Sequence, residues 1–530
     1  MFRTLLKLLV FLGLCLLVSF RLPSSAISQE VEAWTNMDLY GGQILDIAID
    51  PACADKIFAG TYMGDGLYVT EDGGESWEAA GEMFKNQTVS AVKIAPSNNN
   101  IIWVAHNCRV EKSTDGGNSW TRVAQCPMKC NCQNCERADD CHRSCISLAI
   151  DPYNAQTVYM GTTGAKQGYY AIYKTEDGGK TWTKTNQGND NDFDCRVVDI
   201  DIDHQNTDII WAVTNRMGVR SSYAGGLYRS EDRGKIWEKI MTLDPGFTTV
   251  AVSPDKSNRV FTGSYSQKDS GIKEHYFNGD EWLCHSPYIP IDVGYSVVLD
   301  IAFAPQDPQV LYAAWKNIRP GNPFPDVSKK VSRSITGGEY WETYAVNYEF
   351  NSLAVHPANS KVIFGGERHL GIYKSQDYGQ SWYAANNGIS AVLVYDMAIN
   401  PNNSAHILAG TLAGIYEKQP DKPWSRLLHR GTYSLEFHPT DSLTFYAGTK
   451  GYLAKTTDGG FTWSFSEHLK SSSRVNDIAI DPDNKDTVYI AASRGNDYLG
   501  RIYKSENGGV SFSEVLIAEN QSGASYDFNV

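Results

Sequence analysis

The chain has 530 residues, 42% hydrophobic and 20% charged, with 46 Gly, 13 Trp and 30 Tyr. That composition belongs to an aromatic-rich globular protein and excludes a disordered or fibrous one. Lys and Arg total 47 against 61 Asp and Glu, a formal charge of −14, which has the wrong sign for a protein that coats nucleic acid.

Residues 1–28 read as a secretory signal peptide, with Arg3 and Lys7 flanking the start of an apolar run from Leu5 to Phe20 and small residues around Ala26 and Ser28. No later segment approaches the roughly 18 uninterrupted apolar residues of a membrane span. The expected product is therefore soluble and secreted, periplasmic or held at the cell surface. Setting Cys15 aside leaves ten of 11 cysteines, an even number in an exported chain.

From residue 29 to residue 530 one unit recurs. Its first element is a short strand that ends in a two-residue stop, as in LDIAIDP at 45–51, SAVKIAP at 90–96 and SLAIDP at 147–152. Seven further stops follow, at His204, Pro254, Pro305, Pro357, Pro401, Pro439 and Pro482, with intervals of 38 to 56 residues across the ten. The positions four and two before each stop are apolar in every copy, and period two means a strand. The residue between them is alanine in most copies, small enough for sheets to converge near an axis.

The second element is a hairpin, TEDGGESW at 70–77, repeated as STDGGNSW at 113–120, TEDGGKTW at 175–182, SEDRGKIW at 230–237, SQDYGQSW at 375–382 and TTDGGFTW at 456–463. Weaker copies have Thr336 or Asn507 in place of the Asp. The glycines suit positive-φ turn positions, the Asp can accept the turn's own amides, and the Trp anchors an outer strand. Nine of the 13 Trp occupy this slot, so these residues read as architectural rather than catalytic.

These hairpins resemble Asp-box repeats, the bacterial neuraminidase type. The resemblance implies an all-β fold, a β-propeller of about ten four-stranded blades, with two smaller propellers as the alternative. Asp-box propellers include sialidases, two-propeller xyloglucan-hydrolysing enzymes, a photosystem II assembly factor and the sortilin-type receptor, whose ten blades match the count of stops. The sialidase Arg-Ile-Pro signature is absent from residues 29–70. The xyloglucan enzymes place a catalytic acid in a first-blade segment that corresponds to Ala59–Tyr68, where Tyr62 occupies the acid's position and Asp65 lies out of register.

Loops between the second and third strands of each unit should share one rim, and they carry Arg109, Lys166, Arg216, Arg220, Lys268, Lys316, Arg319, Arg368, Lys450 and Arg494. Such a ring could focus a field toward an anionic glycan or an acidic protein tail; the alternative is that these are ordinary solvated loops. The same rim should receive Asp46, Asp199, Asp300, Asp396 and Asp477 at the starts of inner strands. They could cap backbone amides, pair with the bases, bind a cation, or supply two of their number as the acids of a glycosidase.

Cys126, Cys130, Cys132, Cys135, Cys141 and Cys145 crowd an insertion at 124–145, with Cys108 and Cys195 in neighbouring loops. Disulfides would staple a segment with no apolar core of its own; a metal or iron–sulfur site is the alternative reading. The resulting expectation is a non-catalytic binding or assembly scaffold, without cofactor or metal, that holds a protein or anionic glycan and no nucleic acid. A glycoside hydrolase acting on an extracellular polysaccharide, or a subunit of a larger extracytoplasmic complex, are the competing readings.

Overall fold

A computed structural model describes residues 40–517 apart from 108, 126–144, 163–170, 186–195, 216–223, 245, 267–270, 288–295, 318–328, 468, 470–472, 482 and 495–499. The signal-peptide segment lies outside these residues. So does the cysteine insertion, except that the backbone of Cys145 opens the inner strand Cys145–Asp151.

Among the described residues there are ten four-stranded antiparallel units, here called blades, at 44–79, 89–125, 145–184, 196–243, 247–285, 296–346, 350–384, 394–428, 432–465 and 473–517. Strand order within each follows the chain. The inner strand has the apolar period-two pattern, and most carry a bulge where the chain enters the sheet, as between Ile44 and Asp46.

Opposite the middle residue of the inner strand, alanine in most blades, stands a large residue of the second strand: Ala48 faces Phe58, Ala149 faces Tyr159, Ala302 faces Tyr312. These large side chains project forward into the next blade. Phe58 packs with Val92, and Tyr446 with Ile478. Each blade thus has a forward face of aromatic knobs and a rear face of aliphatic side chains, and the core is a succession of such contacts.

The succession closes early. Inner strands pack in order from blade 1 to blade 7, and the inner strand of blade 7 then returns to that of blade 1. Phe364 of blade 7 lies in one cluster with Ile44 and Ile47 of blade 1. Blades 8, 9 and 10 form a separate arc in which 9 packs on 8 and 10 on 9. The ten units therefore group as seven and three, which is neither the expected single ring of ten nor two closed propellers.

A clasp holds the ring shut. Gly41–Gly42 pairs in parallel with Ser390–Ala391, the Trp77 indole donates to the carbonyl of Ala385 at 2.9 Å, and Asn351 Nδ2 donates to the carbonyl of Ile44 at 3.0 Å. Gly388 makes this approach possible: its φ is +96°, and a Cβ there would stand 1.9 Å from the Trp77 carbonyl oxygen. Gly388→Ala should lower unfolding free energy by about 2 kcal/mol from the left-handed backbone alone, with the clash added. Urea titration would show it, and an unchanged midpoint would contradict the clasp.

The hairpins repeat one bonding scheme. In the first, Thr70 Oγ1 donates to Asp72 and accepts the amide of Gly74 at 3.1 Å, while Asp72 accepts the amide of Ser76 at 2.9 Å. Hydrogen bonds from Ser76 and Thr70 hold the Asp72 carboxyl well below the usual range, and those from Ser119 and Ser113 bring Asp115 down to about 2. Where Thr336 replaces the Asp, its hydroxyl accepts the amide of Tyr340 at 2.9 Å. These carboxylates are turn formers.

Candidate active site at the seam

The inner-strand aspartates couple blades. Asp46 accepts the amide of Ile47 in its own strand at 3.0 Å and, with its other oxygen, the amide of Val92 in the next blade at 3.0 Å. Asp199 does the same with Ile200 and Val250, Asp300 with Ile301 and Leu353, and Asp396 with Met397 and Leu435, all at 2.7–3.0 Å. Asp477 caps Ile478. Of the roles open to these residues, backbone capping is what the geometry shows.

Inside the seven-bladed ring, Asp46, Asp199 and Asp300 surround Lys93 within electrostatic range. Lys93 Nζ lies 2.9 Å from Asp46; burial opposes its charge, but Asp46, with help from Asp199 and Asp300, holds its pKa above the ordinary value. Asp199 and Asp300 feel Lys93 more weakly and make no ion pair among the described residues. Burial pushes Asp199 up to about 7, its amide bond from Val250 opposing and Asp300 adding, and pushes Asp300 up to about 6. Thr249 Oγ1 lies between them, 2.9 Å from Asp199 and 3.4 Å from Asp300.

The basic rim is only partly within the described residues. Lys166, Arg216, Arg220, Lys268 and Arg319 lie outside them, and Arg494 is placed by backbone alone. Arg109 is half-buried and Lys450 exposed. Lys316 and Arg368 meet on one carboxylate, Glu349, in the link between blades 6 and 7. Burial works against ionisation of Glu349, but the two cations hold its pKa below the ordinary value.

A different place has the shape of a binding site. Where blades 1 and 7 of the ring meet the first blade of the arc, a shallow open hollow is lined by Gln43, Tyr62, His369, Leu393, Leu412 and neighbouring backbone. Tyr62 is set by a tight loop in which Thr61 Oγ1 donates to the carbonyl of Met63 at 2.6 Å, and Met63, Gly64 and Gly66 take positive φ. His369 is set by Glu367, whose carboxylate is buried and accepts the amides of His369 and Leu370 at 2.6 and 2.8 Å. Burial lowers the His369 pKa and the Glu367 charge opposes it, so the ring is a neutral imidazole at pH 7.

From this hollow an aromatic row runs along the arc. Tyr395 lies within electrostatic range of Tyr62. It meets Tyr433 edge to face at 5.2 Å, and the Arg474 guanidinium lies 4.3 Å over the Tyr433 ring. Tyr395 and Tyr433 occupy the same place in their blades, the second residue of the inner strand. No equivalent residue in blades 1 to 7, from Leu45 to Asn351, is aromatic. That break in the repeat was the available signal, and attention to charge at the rim passed over it.

A family model described as Sortilin, neurotensin receptor 3 matches residues 112–289. A Paenibacillus sp xyloglucanase is 20% identical over 93% of this chain and 59% of its own length. A probable oligoxyloglucan-reducing end-specific xyloglucanase of Neosartorya fischeri is 27% identical over 43% of this chain and 27% of its own. Among solved structures, the GH74 xyloglucanase of Xanthomonas campestris superposes with a TM-score of 0.59 at 17% identity, covering 89% of this chain and 80% of that one. The Niastella koreensis GH74 enzyme gives 0.56 at 17% identity, covering 90% and 79%.

The chain resembles xyloglucanase-type propellers. At these identities the structural likeness shows the fold, and the chain spans three fifths or less of the length of these curated relatives. The expectation of a non-catalytic scaffold is nevertheless corrected: the curated relatives quoted above are named as xyloglucanases, which favours the hydrolase alternative. Among the described residues no helix is long and apolar enough to cross a membrane, and no group of three or more His, Cys, Asp or Glu could hold a metal ion.

Proposed function

We propose that this protein is a glycoside hydrolase acting on an extracellular polysaccharide of the xyloglucan class, bound along the seam. The observation that carries the reading is the row from Tyr62 through Tyr395 and Tyr433 to Arg474, beginning at an open hollow. Flat aromatic faces suit the apolar faces of pyranose rings, and a row of them suits a linear chain. The xyloglucanase names of the relatives point to the same substrate class.

Hydrolysis needs two carboxyl groups on either side of the scissile bond, one to protonate the leaving oxygen and one to activate water or attack carbon. The raised carboxyls Asp199 and Asp300 lie inside the ring, not on the seam. With Tyr62 at the position where the xyloglucan enzymes carry an acid, the pair must come from elsewhere. We assign it to Asp65 and Asp396. Asp65 is on the Tyr62 loop and accepts the Tyr68 and Ser390 hydroxyls, both at 3.2 Å. Asp396 directly follows Tyr395, and its carboxylate is oriented by two amides.

In a polysaccharide panel scored for retention and for new reducing ends, Asp65→Asn and Asp396→Asn should each reduce release by about 10²-fold or more. Tyr395→Ala and Tyr433→Ala should chiefly raise KM. Retention of xyloglucan without any release by the unaltered protein would refute hydrolysis, and release insensitive to both Asn variants would refute the assigned pair.

A further inference from the structure

The rear face of blade 8 is the one rear face in the described fold with no blade against it. Four residues before the stop, the inner-strand side chain is 5% exposed or less in the nine other blades, as with Ile47, Leu148, Leu435 and Ile478. In blade 8 that residue is Met397, which is 50% exposed, and Ile399 two places on is 56% exposed. The reason is topological: blade 7, which would precede blade 8 in a continuous ring, packs instead on blade 1.

The forward faces show the complementary exception. The second-strand knob is at most 1% exposed in blades 1 to 9, from Phe58 and Trp103 to Tyr446. In blade 10 the equivalent residue, Tyr489 opposite Ala479, is only partly buried. One arc therefore ends in a socket lined by Met397 and Ile399 and begins its other end with a knob of the type such sockets accept. The same chain supplies this contact between blades 8 and 9, where Leu408 meets Leu435, and between blades 9 and 10, where Tyr446 meets Ile478.

We propose that a second copy of this chain completes the arc: Tyr489 on blade 10 of each copy seats against Met397 and Ile399 on blade 8 of the other. One two-fold axis satisfies both contacts at once, because knob and socket lie on opposite ends of the same three-bladed body. The product is a six-bladed ring shared by two chains, within the range of four to eight blades that propellers adopt. Burial of the exposed aliphatic pair at both junctions drives association.

Light scattering coupled to size exclusion, run on the native protein across a concentration series, should give twice the mass that the same protein shows when denatured. Met397→Lys with Ile399→Lys should yield monomer, and so should Tyr489→Glu on its own, each with an unchanged circular dichroism spectrum. A Met397→Cys, Tyr489→Cys protein should form a covalent dimer on oxidation, a result independent of whether charged variants fold well. Monomer at all concentrations in the unaltered protein would overturn the proposal. Dimer that resists Tyr489→Glu, or that never cross-links between these positions, would overturn it equally, since two rear faces packed on each other would not involve Tyr489.

Discussion

Trp341→Ala is expected to destabilise the protein by about 3–5 kcal/mol, the range for removing a fully buried tryptophan. Trp341 has no exposed surface and lies in one cluster with Phe261 of blade 5 and Leu311 and Trp315 of blade 6, while its indole donates to the Gly338 carbonyl at 2.9 Å. Blades 5 and 6 are also joined by strand pairing at Tyr265 and Ser266 with Val297 and Ser296. Chemical denaturation followed by fluorescence would measure the loss. The equivalent Trp463 is only partly buried and keeps its bond to Gly460 at 3.0 Å, so Trp463→Ala should cost less. Equal losses at both positions would contradict burial as the determinant.

Stability should fall as pH rises from about 4 to 7, with the buried carboxyls Asp199, Asp201 and Asp300, all raised by burial, contributing to the fall. A carboxyl raised by folding binds its proton more tightly in the native state, so its contribution is complete below the unfolded pKa of about 3.9 and is lost as pH rises through the folded pKa. For Asp199 that value is about 7 and for Asp300 about 6, so the window runs from roughly pH 4 to 7. Three units at about 1.4 kcal/mol each give Asp199 a loss of about 4 kcal/mol. Buried His275, pulled down to about 4, acts in the opposite sense below the unfolded value of about 6.5, which sets a lower bound to the acidic optimum. Asp199→Asn removes one of these ionisations and should make the melting temperature fall less steeply between about pH 4 and 7. Parallel profiles for the two proteins would show that Asp199 does not contribute to the response.

The blades were legible because each repeats a strict local grammar. Ile47 and Ile49, or Leu435 and Phe437, announce an inner strand by alternation alone, and the Thr70 to Trp77 hairpin is defined within eight residues. Closure after seven was not legible, because Met397 and Ile399 are as apolar as their counterparts and local sequence does not distinguish a rear face that is covered from one that is not. The decision is made by residues about 306 positions apart, Asp46 and Ser352 among them. The rim bases were correctly seen as bases, yet Lys316 and Arg368 are engaged by Glu349, which belongs to a link and to no repeat. The seam was hidden for the same reason: Tyr62 and Tyr395 come together only once the ring has closed.

That closure imposes a timetable on biosynthesis. At roughly 5–20 residues per second, blade 7 leaves the ribosome some 15–60 seconds after blade 1. Until then Ile44 and Ile47 have no partner, and the clasp strand at Ser390–Ala391 arrives later still. The early blades must wait in a state that is folded sheet by sheet but open as a ring, with an apolar flank available to any neighbour. Productive folding thus depends on keeping that flank from the wrong partner until the seventh blade emerges.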